Sequence, residues 1–402
     1  MNRRQFCQTA APALTAGSWA RVLGANESIR IASIGCGVQG TEHMRAMMSL
    51  RESDRVEVAA VCDVFDKRSE RAASLTGGKP YRDYRRVLEN KDIDAVVIAV
   101  PDHWHAALTL EAVSAGKHVY CEKPMTHTIE EAQRVVAKVR ASKSKVQVGV
   151  QAMSDDSYET AYRYVRDGAI GKVVVAQIDY SRNYRGDFWL KRTDPDARPG
   201  ENLDWDLFLG PAPKRPYDPE RYFQWIRYWD YSCGIPSGLL VHRITRLVKS
   251  MGLTYPENAS AHGGKFQFPE SRAEIPDTFN MMIDYPGGPT VLLISSMVND
   301  TPVAHTLRGH KATLEFTDTG FVIRPQEIYR NEVQEVVHRK TGGEDIKLHH
   351  QNWYRAIRQG EALLCDVTLG MYGIVACQMG VLSYRRRKYI AWDKSAERAV
   401  EC

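Results

Sequence analysis

Gly35, Gly37 and Gly40 stand in the spacing Gly-x-Gly-x-x-Gly, with Val38 and Gln39 between the last two. That spacing has a chemical use where a strand turns into a helix. The first glycine permits the tight turn, the second lets backbone approach a pyrophosphate, and the third lets the helix pack closely on the strand. Unpaired N–H groups at the helix start then meet the anion. Asp63 follows 23 positions after Gly40, at the end of the next apolar run, where a carboxylate can accept hydrogen bonds from ribose hydroxyls and repels a 2′-phosphate. The combination favours NAD. Lys67 and Arg68 close by keep NADP as the alternative.

The elements around these residues have the alternation such a site needs. Ser28 to Ile34 reads as a buried parallel strand, Thr41 to Leu50 as a helix and Val56 to Cys62 as the next strand. Further strands follow at Ala95 to Val100, His118 to Tyr120 and Val146 to Val150, with helices between them, including Ile129 to Ser142. Strict alternation predicts a doubly wound parallel sheet, a Rossmann domain over residues 27–150. Beyond Val150 the texture changes. Strands at Val173 to Tyr180 and Thr290 to Met297 lack intervening helices, which predicts an α+β domain over residues 151–402. Residues 181–236 are rich in aromatics, among them Tyr184, Trp189, Trp205, Tyr222 and Trp225. Such rings either stack on sugar faces or pin an irregular segment to the core.

The strand ending at Val100 runs into Pro101-Asp102-His103-Trp104-His105, and the next strand into Glu122-Lys123-Pro124. With the glycine loop, and with Trp205-Asp206-x-Phe208-Leu209-Gly210-Pro211 and Tyr228-Trp229-Asp230-Tyr231-Ser232, these segments resemble the glucose-fructose oxidoreductase, inositol dehydrogenase and rhizopine-catabolism (Gfo/Idh/MocA) family, in its exported bacterial branch. The resemblance implies a second domain with a large open mixed sheet, whose face forms a homodimer or homotetramer, and a small carbohydrate as substrate. It assigns Lys123 to the substrate hydroxyl and the nicotinamide ribose, Glu122 to its orientation, and Pro101 and His105 to the cofactor. An ammonium beside a reacting hydroxyl stabilises developing alkoxide character.

In the same family a helix carries Asp-x-x-x-His, and this chain reads Gly238-Leu239-Leu240-Val241-His242. His242 is therefore the candidate acid/base, without its usual aspartate partner. Asn183, Tyr184 and Arg227, with Arg182, are the candidate substrate contacts. Gln151-Ala152-Met153 also lacks an arginine common after that glutamine in relatives. Three functions follow: an NAD(P)-dependent oxidoreductase acting on a sugar, glycoside or polyol hydroxyl; a redox-neutral glycoside hydrolase that oxidises, eliminates, hydrates and re-reduces with tightly held NAD; and a sugar-binding relative that has lost turnover.

Composition narrows the partners. The 402 residues carry a net charge of only +5, with basic and acidic residues interspersed, which disfavours nucleic acid as a partner. The basic run Arg385-Arg386-Arg387-Lys388 follows an apolar stretch, where it fits a helix C-terminus. Eight cysteines show neither a CxxC pair nor a metal-ligand spacing with histidine, so neither a disulfide framework nor a metal site is expected. Arg3-Arg4 before Phe6 and the small-residue run Ala10 to Ala20 have the layout of a twin-arginine export signal over residues 1–26, cleaved near Ala25, and imply a periplasmic protein. No membrane span is expected in the mature chain.

Overall fold

The computed structural model describes residues 28–402, so the predicted export signal lies outside the described residues. The first half alternates β1 (Ile29–Ile34), α1 (Val38–Ser49), β2 (Val56–Cys62), α2 (Asp66–Thr76), β3 (Lys79–Tyr81), α3 (Tyr84–Glu89), β4 (Ala95–Ile98), α4 (Asp102–Ser114), β5 (His118–Glu122), α5 (Ile129–Arg140) and β6 (Val146–Gly149). These strands pair in parallel in the order β3-β2-β1-β4-β5-β6. The order reverses between β1 and β4, and a crevice opens beyond their carboxyl ends. Helix α1 begins at Val38, three residues before the sequence predicts. Gly40 can lie inside it because a Cβ there would stand 1.9 Å from the Gly35 carbonyl oxygen.

The second half continues with α6 (Asp156–Arg166), β7 (Val173–Asp179), α7 (Trp205–Leu209), α8 (Pro219–Phe223) and α9 (Val241–Met251). Then come β8 (Asn258–Gly264), β9 (Thr278–Asp284), β10 (Thr290–Ile294), β11 (His305–Gly309), β12 (Ala312–Thr317), β13 (Gly320–Pro325) and β14 (Val336–Arg339). Helices α10 (Ile346–Gln359) and α11 (Val367–Arg386) and strands β15 (Ile390–Asp393) and β16 (Arg398–Glu401) complete the chain. The strands form a mixed sheet in the order β14-β13-β12-β11-β7-β10-β9-β8-β15-β16, in which β7 and β10 run parallel and their neighbours antiparallel. One face buries Ile178, Val291, Leu293 and Leu307 beneath helices, whereas Met282, Ile294 and Val337 are exposed.

Two helices join the halves. Helix α11 packs on α5 of the first sheet and on α9 and β8 of the second. It is long and apolar enough to cross a membrane, yet most of it is buried in this core. Its end coincides with the basic run, and Arg387 closes it in a left-handed conformation. Helix α10 returns to the first sheet, where Trp353 and Tyr354 are buried with Ile29, Ile31 and Met44. The sequence placed everything after residue 150 in the second domain, but this helix completes the core of the first. Its apolar face announces burial without saying against what.

Candidate active site

The crevice is a cavity of about 320 Å³ that Gly35, Gly37, Val38, Gln39 and Asp63 line at one end. Gly35 adopts φ +92°, and a Cβ on it would lie 2.3 Å from the Ala99 carbonyl oxygen, so no other residue fits the turn. A Cβ on Gly37 would meet nothing within 4 Å. The backbone is thus bare toward the cavity, and α1 starts without a side-chain cap or an acidic residue in its first turn. Open N–H groups at a helix start suit the pyrophosphate of a dinucleotide, and the residues fit that group.

Asp63 is doubly committed. One carboxylate oxygen accepts from the Cys36 N–H at 2.8 Å and the other from the Phe65 N–H at 3.0 Å. It therefore holds the glycine loop in shape while lining the cavity. Arg68 also lines it, with its guanidinium 5.1 Å from the Tyr222 ring centre and 5.4 Å from that of Phe223. The aromatic segment here roofs the Asp63 end of the crevice. Tyr222 and Phe223 pack edge-on against Phe65, with Leu203, Trp205 and Phe208 around them.

The segment after β4 organises the site without touching its chemistry. Only Pro101, Asp102 and Trp104 of these five residues line the cavity. The buried Asp102 carboxylate accepts from Ser232 at 2.8 Å and Ser237 at 3.0 Å, tying α4 to the turn that precedes His242. His103 and Trp104 both donate to the Phe208 carbonyl, at 3.0 and 2.8 Å, and burial pushes the His103 imidazole down to about 3. His105 corrects the sequence reading, which gave it to the cofactor. Its ring nitrogens face the Pro124 carbonyl at 2.5 Å and the Val100 carbonyl at 2.9 Å, so it clamps the Glu-Lys-Pro segment from behind. Burial opposes its charge, but Cys121, Asp102 and the Pro124 carbonyl raise its pKa to about 10, as two acceptors require of an imidazolium.

Glu122 is buried, and its carboxylate accepts from His43 at 2.8 Å, Gln39 at 3.2 Å, Gln151 at 2.5 Å and the Lys123 N–H at 3.1 Å. Burial alone would raise its pKa, but the His43 hydrogen bond and the charges of His43 and Lys123 bring it to about 2. Behind it His43 meets His350 at 2.8 Å, and Tyr120 meets His349 at 2.9 Å. The sequence reading missed this relay. Gln39 and His43 lie one turn apart on α1, a spacing that puts both on one face.

Lys123 extends its ammonium to the Gly238 carbonyl at 3.1 Å. Gly238 belongs to a π-helical turn, Pro236–Leu240, that runs directly into α9 and His242. A Cβ at position 238 would meet the Trp189 indole at 3.2 Å and Ile226 at 3.3 Å, so the space of the family's carboxylate is filled. Trp189 reaches it from a left-handed backbone, φ +54°, a conformation a bulky residue rarely holds. The Nδ1 atom of His242 is buried and has no hydrogen-bond partner among the described residues. Burial, then the Lys123 and Arg246 charges, hold its pKa well below the usual imidazole value.

Three other residues read from the sequence as substrate contacts fall elsewhere. Arg227 is 1% exposed and pairs with Asp187 and Glu220, so it braces the irregular segment. Asn183 is exposed and bridges to Val298, and the Tyr184 N–H donates to Met297 at 3.0 Å; neither lines the cavity. The sequence gave no sign of the strap formed by residues 187–204. It crosses to the first domain through the Asp66 N–H on the Asn202 carbonyl and the Asp204 N–H on the Val64 carbonyl, each 2.9 Å, and through Lys67 paired with Asp194 and Asp196. Its Lys191 lines the cavity, its pKa lowered by burial and by the cations Arg68 and Lys123.

A Rossmann sheet joined to an open-sheet α/β domain, with one cavity reaching from the glycine loop to Lys123, defines a class of dinucleotide-binding proteins. The chain belongs to the Gfo/Idh/MocA oxidoreductase family: residues 29–150 match its NAD-binding Rossmann fold and residues 213–391 its C-terminal α/β domain. It is similar to inositol 2-dehydrogenase of Salmonella typhimurium, 30% identical over 173 residues, 42% of this chain and 50% of that one. Inositol 2-dehydrogenase 2 of Saccharopolyspora erythraea is 36% identical over 150 residues, 37% of this chain and 44% of that one. The matched stretch spans about half the length of these relatives. Among solved structures, the WlbA dehydrogenase of Bordetella pertussis with NADH and UDP-GlcNAcA superposes with a TM-score of 0.68 at 18% identity, covering 91% of this chain and 99% of that one. A levoglucosan dehydrogenase with NADH and levoglucosan gives 0.69 at 16%, again over 91% and 99%. At these identities the likeness is one of fold.

Two consequences can be measured. Asp63→Ala removes the acceptor of two backbone N–H groups and a carboxylate that lines the glycine-loop end of the cavity. We expect the dissociation constant for NAD to rise by about tenfold or more, preference over NADP to relax, and stability to fall by about 1–3 kcal/mol. Unchanged NAD affinity in a titration would remove Asp63 from the site. Gly238→Asp places a carboxylate against Trp189 and Ile226, so turnover should fall by about tenfold or more, whereas Gly238→Ala costs only about 1–3 kcal/mol of stability. Faster turnover of Gly238→Asp on polyols would show instead that the pocket accepts the family's aspartate.

Proposed function

We propose that this protein is an NAD-dependent oxidoreductase acting on a secondary hydroxyl of a sugar, glycoside or polyol. The observation that carries the reading is the Lys123 ammonium, which lines the cavity of the glycine loop and is bonded to the Gly238 carbonyl in the turn that runs into α9 and a His242 kept neutral by burial and by the Lys123 charge. NAD, when bound, supplies the hydride acceptor. The chain's own residues do the rest. The His242 imidazole takes the hydroxyl proton, Lys123 Nζ exchanges its bond to the Gly238 carbonyl for one to the oxygen as negative charge develops there, and Glu122 holds Lys123 through its backbone N–H. The names of the relatives, inositol and levoglucosan dehydrogenases among them, support this substrate class.

A second reading, redox-neutral glycoside cleavage on a retained dinucleotide, is favoured by the strap over the crevice, whose ion pairs and backbone bonds to the first domain oppose cofactor exchange. It gains force if the twin-arginine leader exports the protein, since no pool of free NAD exists outside the cytoplasm. On either reading the exposed sheet face with Met282, Ile294 and Val337 is the surface for a homodimer or homotetramer.

The test is to denature the purified protein, assay the supernatant for NAD(H) and NADP(H), and follow NADH formation and aryl-glycoside cleavage on a sugar panel. Stoichiometric NAD(H) with NADH formation supports the dehydrogenase; retained NAD with glycoside cleavage and no net reduction supports the second reading; no turnover of any kind overturns both. Lys123→Ala should lower turnover by about two orders of magnitude. The pH profile has a definite sign as well. A base with a lowered pKa stays unprotonated at neutrality, so kcat/KM should stay flat as pH falls through the ordinary imidazole range and drop only below it. An inflection near the ordinary imidazole value that vanishes in His242→Ala would contradict the buried setting of His242.

A further inference from the structure

The strap between the domains hangs from two fixed points. Phe188 and Leu203 are fully buried, and none of residues 189–202 between them is. Lys67, paired with Asp194 and Asp196 largely in solvent, ties this stretch to the first domain, and exposed ion pairs are weak fastenings. Within it two neighbours face different ways. Leu190 is 54% exposed, whereas Lys191 lines the cavity that runs from the glycine loop to Lys123. Gln224 fixes the backbone at that point, its Nε2 donating to the Lys191 carbonyl at 3.1 Å.

The acids that line the same cavity are already engaged. Asp63 accepts from two backbone N–H groups, Asp102 from two serine hydroxyls, and Glu122 from Gln39, His43, Gln151 and the Lys123 N–H. Among the other cations in the lining, Arg82 holds Asp66 and Arg68 lies against the rings of Tyr222 and Phe223. Lys191 has no acidic partner among the described residues. The surrounding protein disfavours its charge, and so do the cations Arg68, toward the Asp63 end of the cavity, and Lys123, toward Gly238. A lysine between two cations is stabilised by an anion placed among them.

We propose that Lys191 is a ligand of the dinucleotide from the second domain: its ammonium pairs with the pyrophosphate that the N–H groups of the glycine loop hold from the first. The pyrophosphate is the charged part of NAD and lies midway along it, as Lys191 lies within reach of cations at both ends of the cavity. A compact ammonium suits a phosphate as a point charge. The inference rests on NAD as the cofactor. It also gives the strap a task, since whatever the pyrophosphate contributes to fastening the strap, the strap returns to the pyrophosphate.

The test reads binding rather than turnover, on the full chain with NADH, whose fluorescence follows both association and release. Lys191→Ala should raise the dissociation constants for NADH and ADP-ribose alike by about tenfold and speed NADH release into excess NAD, while adenosine, which has no phosphate, competes as well as before. Lys191→Arg should keep most of the affinity, and the gap between the unsubstituted protein and Lys191→Ala should narrow as salt is added. Saturating NADH should slow amide exchange over residues 190–202, and do so less in Lys191→Ala. Equal melting temperatures without nucleotide establish that the variants are folded. Unchanged NADH affinity in Lys191→Ala, an equal loss for adenosine, or a loss confined to NADP each overturns the inference, the last by placing the lysine on a 2′-phosphate. A substrate KM that rises while NADH affinity holds gives Lys191 to the substrate and overturns it too. Tight NADH binding indifferent to the substitution keeps the cofactor and sinks the role of Lys191, whereas an unsubstituted protein that binds no dinucleotide sinks both.

Discussion

The buried carboxylate of Glu122 is the constraint around which the rest of the molecule is arranged. A charge out of water is tolerated only if its lone pairs are filled, and three side chains and a backbone N–H fill these. The donors come from different places: Gln39 and His43 from α1, Gln151 from just beyond β6, and the N–H from Lys123 itself. Satisfying one carboxylate therefore fixes the helix that carries the dinucleotide loop, the exit from the first sheet and the backbone of the lysine. Gly149 shows how little room is left, since a Cβ there would stand 2.9 Å from the Glu122 Cα and from its carboxylate. His43 passes the constraint on to His350, which brings α10 back across nearly the whole chain to the first sheet.

The sequence made the short-range part of this visible and hid the rest, for physical reasons. A glycine spacing between an apolar run and a helix has few other uses, and strands buried on both faces stand out as unbroken apolar runs, so the first sheet and its crevice were legible. The start of α1 was misjudged because a glycine inside a first turn looks like loop until the close approach to Gly35 is seen. His105 and Arg227 were misassigned because a titratable side chain near a motif does not reveal whether it faces a ligand or a carbonyl. Trp189 was invisible in another way: nothing local predicts that an irregular segment will take a left-handed residue and lay its indole over Gly238.

Asp102 and Glu122 have the same chemistry and opposite neighbours. Glu122 gathers its donors from α1, from Gln151 just beyond β6 and from the Lys123 N–H, whereas Asp102 accepts from Ser232 and Ser237 of the second domain. One carboxylate thus sets Lys123, and the other sets the turn that leads through Gly238 to His242. Lys123 and His242, the two side chains proposed to react, sit on different domains, and their placement is governed by hydrogen bonds to buried charges, which weaken steeply with misalignment. The Lys123 bond to the Gly238 carbonyl closes the circuit directly across the cavity.

The electrostatic setting of His242 follows from the same arrangement. Burial and the Lys123 and Arg246 charges disfavour its protonated form, and Glu122 offsets only part of that field. An aspartate at position 238 would add a nearby negative charge and raise the histidine's proton affinity. With glycine there the imidazole is a weaker base in the resting protein and stays neutral.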